Sequence, residues 1–156
     1  MNQSTLDGFH IPAQARCYDT VQTQGQQAVK TGATAEATIY CILKERGFTV
    51  QRQVVIGMSI YKTELRADFY IAPCSRLPAG LIIESKWQES AGSVDEKYSY
   101  LVENIRARYP APCIIILDGG GYRPGAAEWV RSQVDGVKLI GVYTFSEFLT
   151  WCNRNL

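Results

Sequence analysis

Residues 81–88 read Leu-Ile-Ile-Glu-Ser-Lys-Trp-Gln, an apolar run that turns polar at its end. A central β-strand has this pattern where it delivers side chains to a site, so the run commits the chain to a sheet with neighbours on both sides. Cys113–Leu117 (Cys-Ile-Ile-Ile-Leu) reads as a second strand buried on both faces, ending in Asp118-Gly119-Gly120-Gly121, and Val137 to Tyr143 reads as another. Upstream, Phe48 to Ile56 alternates as a strand, and Gly57-Met58-Ser59 turns the chain through Ile60-Tyr61 into Leu65–Ala72. An antiparallel hairpin is expected there, followed by turn-forming residues from Pro73 to Gly80.

Helical periods fill the gaps. Thr34 to Arg46 carries Ile39, Ile42 and Leu43 at helical spacing and stops at Gly47, which tolerates the positive φ of a helix end. Ser93-Val94-Asp95-Glu96 has capping-box spacing, and Tyr98, Leu101, Val102 and Ile105 mark one face of a helix reaching about Tyr109, where Pro110-Ala111-Pro112 breaks it. Ala126 to Val134 is a short helix, and Ser146 to Asn153 a closing one begun by Thr144 or Ser146. The order α-β-β-β-α-β-α-β-α predicts an α/β (mixed α+β) fold, a central mixed sheet flanked by helices. With 156 residues and 46% apolar content, one domain is expected. It divides into a Gln-rich N-terminal arm (1–32), a core (34–117) and a C-terminal α-β-α extension (118–156).

The chemistry narrows by exclusion. His10 is the one histidine, and the five cysteines are far apart and odd in number, so they read as reduced thiols rather than zinc ligands or a disulfide framework. No apolar run approaches the roughly 20 residues of a membrane span, and the N-terminus lacks signal-peptide character, which predicts a soluble cytoplasmic protein with no membrane partner. The net charge of +1 does not by itself announce nucleic-acid binding. A carboxylate site remains. Along the strand at 81–88, residues two apart share a face, so Ile82, Glu84, Lys86 and Gln88 point together. Asp68 interrupts the apolar stretch of the preceding strand and meets Glu84 if the two strands pair. Burying a carboxylate is costly without a partner, and a divalent cation supplies one. Asp68, Glu84 and a backbone carbonyl of the third strand, at Ser85, make an open oxygen site suited to Mg²⁺, with Mn²⁺ able to substitute. Lys86 then orients a nucleophile, and Glu36, on the inward face of the first helix, is placed to complete the site.

The run Glu36 … Asp68 … Glu84-Ser85-Lys86, on helix, strand and strand in that order, resembles the PD-(D/E)XK nuclease superfamily, which includes restriction endonucleases and Holliday-junction resolvases. The αβββαβ order from Thr34 to about Leu117 is similar to that superfamily's core. The resemblance implies a restriction-endonuclease-like fold with Asp68 and Glu84 as metal ligands, Lys86 as the signature lysine and Glu36 as the helix acid. Ala67 stands where the signature has proline, and Gln88 resembles the extra glutamine of some branches. The implied activity is Mg²⁺-dependent hydrolysis of double-stranded DNA, leaving a 5′-phosphate and 3′-hydroxyl, by a site-specific endonuclease of restriction or homing type. A junction resolvase, and a nuclease-like module that only binds DNA or a protein, are the rivals. In the bland reading Glu84 and Lys86 are a same-face ion pair. Lys97 and Arg123, each near a helix start, are expected to contact DNA phosphates. Gly119–Gly125 lacks the ending of a nucleotide-binding P-loop. Cutting two antiparallel strands predicts a homodimer or higher even oligomer, with the arm and Phe145, Phe148, Leu149 and Trp151 as candidate contact surfaces.

Overall fold

The computed structural model describes residues 32–88 and 93–156. The Gln-rich arm, His10 included, lies outside them apart from Gly32. Helix α1 (Gly32–Glu45) leads into strands β1 (Val50–Met58), β2 (Glu64–Ile71) and β3 (Leu81–Trp87). A 3₁₀ turn (Ser93–Glu96), α2 (Lys97–Arg108), β4 (Cys113–Asp118), α3 (Pro124–Ser132), β5 (Leu139–Tyr143) and α4 (Phe145–Asn155) complete the order. The five strands form one sheet in the order β1-β2-β3-β4-β5. β1, β2 and β3 pair antiparallel, while β3, β4 and β5 pair parallel. The sheet is therefore mixed, and β3 joins its two halves.

Each face of the sheet has its own core. Ile83, Ile114 and Ile116 pack with Ile39 and Leu43 of α1 and Phe148 of α4. Ile82, Ile115 and Leu117 pack on the other side with Val102 and Ile105 of α2 and Val130 of α3. Successive residues of β4 enter opposite clusters, which is why its sequence shows no polar alternation. At roughly 25 cal/mol per Å² of apolar surface removed from water, these two layers are the main driving force for the fold.

Local chemistry shifts several boundaries. Gly57 does not turn the chain: it lies within β1 (φ 142°) beside a register shift, and the reversal is made at Ser59–Thr63. There Ser59 Oγ accepts from the Tyr61 and Thr63 N–H groups. β5 starts two residues later than its apolar pattern, because the Asp135 carboxylate accepts from the N–H groups of Val137, Lys138 and Leu139 and leaves Val137 exposed. α2 has no side-chain cap bond at its N-cap Glu96. A capping box does form in α4, between Thr144 and Glu147. Cys74, Cys113 and Cys152 are free thiols, but Cys41 departs from the expectation of reduced cysteines and is disulfide-bonded. Among the described residues no helix is long and apolar enough to cross a membrane.

Candidate active site

The site forms where the β2–β3 ladder stops. Ile71, Tyr70 and Phe69 pair with Leu81, Ile82 and Ile83 in turn, and the next main-chain pair is replaced by a side-chain bond. The Ser85 N–H donates to Asp68 Oδ2 at 2.8 Å. Alternation inverts at the same point, since Phe69 and Ile71 join the core under α1 while Leu65 and Ala67 join the core under α2. On the other side of Asp68, β1 is irregular too. Its ladder passes from Arg52–Phe69 to Val54–Ala67, and Gln53 takes a φ of 48°. Positive φ at a non-glycine residue inside a strand is uncommon and costs strain, which marks the position as one held for a purpose. Here Gln53 Nε2 donates to Asp68 Oδ1 at 3.1 Å.

Lys86 ties the two acids together. Its Nζ donates to Asp68 Oδ2 at 3.1 Å and to Glu84 Oε2 at 2.8 Å. Glu84 is 2% exposed, and its other oxygen accepts from the Tyr109 hydroxyl at 2.6 Å. Burial raises the Glu84 pKa to about 7, with the Asp68 charge adding to the effect and Lys86 opposing it. Burial also works against the charge on Asp68, but the Lys86 ammonium and the hydrogen bonds from Ser85, Lys86 and Gln53 outweigh it and hold that carboxyl below its usual range. Lys86 is disfavoured by burial yet kept charged by both carboxylates, so its pKa is raised. Two neighbouring acids thus differ in ease of ionisation, a pattern associated with functional sites.

The metal-free protein acquires a pH signature from this arrangement. Folded Glu84 titrates at about 7 against an ordinary 4.5, so its contribution to stability is full below the lower value and is lost as pH rises through the higher. The melting temperature in EDTA is expected to fall across that window, and Glu84→Gln to flatten the fall. A wild-type profile that rises or stays level there contradicts the burial argument.

The other sequence candidates lie around this centre. Lys97, at the start of α2, lines the same cavity as Glu84 and Lys86. Glu36 feels the charges of Asp68 and Lys86, and burial raises its pKa, but its ion-pair partner is Arg52 at 3.7 Å. Arg52 is in turn packed over the Tyr40 and Phe69 rings. Gln88 is buried, its Nε2 donating to the Gly121 carbonyl and its Oε1 accepting from the Tyr98 hydroxyl, so it fastens the glycine turn after β4. That turn needs glycine at 119, where φ is +98° and a Cβ would fall 2.4 Å from the Gln88 carbonyl oxygen. Arg123, the N-cap of α3, is exposed and 3.5 Å from the Asp95 carboxylate. The structure therefore brings Asp68, Glu84, Ser85 and Lys86 together with Lys97 on the rim, and gives Glu36 and Arg123 ion-pair partners of their own.

A family model described as a PD-(D/E)XK nuclease superfamily domain matches residues 27–156. The chain belongs to the PD-(D/E)XK nuclease superfamily. No curated protein and no solved structure gives a significant match. The mixed sheet between helices is the restriction-endonuclease-like architecture, with α1, β1, β2, β3, α2 and β4 as its αβββαβ core. PD-(D/E)XK nucleases generally use divalent metals, and the donor set here fits one. Two carboxylates hold one ammonium between them, so the pair already binds a cation. Among the described residues no cluster of three or more His, Cys, Asp or Glu residues gathers. Tyr109 and Gln53, which hold Glu84 and Asp68, were not among the sequence candidates. Gln53 looked like the polar side of an alternating strand, and no short-range pattern joins Tyr109 to an acid 25 residues earlier.

Proposed function

We propose that the chain is a Mg²⁺-dependent endonuclease that hydrolyses phosphodiester bonds of double-stranded DNA, site-specific in the manner of restriction or homing enzymes. The observation that carries this reading is the Lys86 ammonium seated between the Asp68 and Glu84 carboxylates, with Glu84 and Lys86 lining a cavity. Asp68, Glu84 and the Ser85 carbonyl are the groups to hold the metal, Mg²⁺ or Mn²⁺. When bound, the cation supplies Lewis acidity at the phosphoryl oxygens and eases deprotonation of water.

The chain's own residues do the rest. Gln53 and the Ser85 N–H fix Asp68, and Tyr109 fixes Glu84, so neither acid has to reorganise when substrate arrives. Lys86 stays protonated and donates to the oxygen where charge develops in the transition state. Lys97 and Arg123 are assigned to the phosphate backbone, Arg123 with its charge partly compensated by Asp95. Supercoiled plasmid incubated with Mg²⁺ tests the reading. Discrete fragments are expected, and a smear indicates a nonspecific nuclease. Plasmid of many sequences left intact favours the module that only binds.

Attack on both strands further calls for a homodimer or higher even oligomer. Phe148 of the expected contact patch is fully buried, with Phe145 and Trp151 packed on the same cluster, so α4 uses its aromatic face internally. Sedimentation at micromolar protein should show an even oligomer, and a strict monomer that accumulates nicked circles contradicts it.

A further inference from the structure

The cavity that meets Glu84 and Lys86 is larger than a phosphate site requires. It holds about 290 Å³, and besides the charged groups of Glu84, Lys86, Arg66 and Lys97 it is lined by Leu65, Tyr98, Tyr100 and Leu101. Phosphate and sugar oxygens gain little from such a wall, whereas a planar aromatic base gains from both burial and stacking. Pockets for small molecules begin at roughly 300 Å³, so the space suits one base and excludes a base pair.

The wall is also built to stay in place. Tyr100 stacks on Tyr61 with ring centroids 5.0 Å apart and planes 24° apart. Tyr61 belongs to the β1–β2 turn, and that turn is tied to α2 through Asn104, which is fully buried. The Ile60 N–H donates to Asn104 Oδ1 at 2.9 Å, and Asn104 Nδ2 donates to the Tyr100 carbonyl at 2.9 Å. A surface held this way is preorganised, so binding loses little to ordering it.

We infer that the cavity is a nucleobase site, taking one unpaired base of the strand whose phosphate lies at Lys86. The inference rests on the nuclease reading and deepens it: the duplex is bound with one base beside the scissile phosphate extruded from the stack, so a duplex in which that base is already unpaired binds more tightly. Drawing a base out of an intact duplex costs a few kcal/mol, and an already unpaired base escapes most of that cost.

The test compares binding of two short duplexes by the full chain, one fully paired and one carrying a single unpaired adenine, with Ca²⁺ in place of Mg²⁺. Wild-type protein should prefer the unpaired form by about ten-fold, as one stacked base contributes. Leu101→Trp fills the cavity and Tyr100→Ala removes its wall, and each, once shown to be folded by circular dichroism, should abolish the preference. Equal binding of the two duplexes by wild type overturns the base site and leaves the nuclease reading standing. A preference kept by both variants also overturns the site. Binding of neither duplex also overturns the base site, and the plasmid assay decides the nuclease reading separately.

Discussion

Glu84→Gln is expected to abolish cleavage, lowering the rate by at least about three orders of magnitude if Glu84 belongs to an interdependent catalytic set, while the protein stays folded. The carboxylate is buried, accepts from Tyr109 and Lys86, and ionises only against the cost of burial. Glutamine keeps the shape: its amide oxygen can accept from Lys86 while its Nε2 donates to the Tyr109 hydroxyl oxygen, so packing survives. What disappears is the second negative charge facing Lys86, and with it one of the two carboxylates proposed to hold the divalent cation. Because ionised Glu84 is disfavoured by the fold, melting in EDTA above neutral pH should be unchanged or raised. A Glu84→Gln protein that cuts at the wild-type rate removes Glu84 from the site.

Lys86→Ala is expected to lower turnover by roughly two to three orders of magnitude with little change in DNA affinity, since on the proposed reading the ammonium acts where charge develops rather than along the backbone. The same substitution leaves Asp68 and Glu84 close together with no cation between them. Metal-free Lys86→Ala protein should therefore melt below wild type, and Mg²⁺ should raise its melting temperature by more than it raises that of wild type. Equal losses in binding and turnover would make Lys86 an ordinary phosphate contact. A melting temperature indifferent to Mg²⁺ would argue against the metal site.

The central sheet was legible because its strands are short apolar runs, and in β3 a period of two was enough to put Glu84 and Lys86 side by side. Asp68 was legible as an interruption, but not as the point where β2 inverts its alternation. That inversion depends on the strained Gln53 and on a Ser85 N–H diverted from the ladder to a side chain, both long-range effects. Gly57 misled for a related reason, since the Ser59 hydroxyl supplies the bonds that close the real turn. Tyr109 was hidden by distance in sequence, its hydroxyl reaching Glu84 only after α2 folds across the sheet. Helix-start charge at Arg123 was visible, whereas its pairing with Asp95 was not.

Metal-dependent phosphodiester hydrolysis at Asp68, Glu84 and Lys86 is tested most directly by purifying wild-type and Glu84→Gln protein side by side and incubating each with supercoiled plasmid in Mg²⁺ and in EDTA. Cleavage by wild type in Mg²⁺ alone, with Glu84→Gln inert in both, is the result expected. Cleavage that persists in EDTA, or that the two proteins share equally in Mg²⁺, would contradict it.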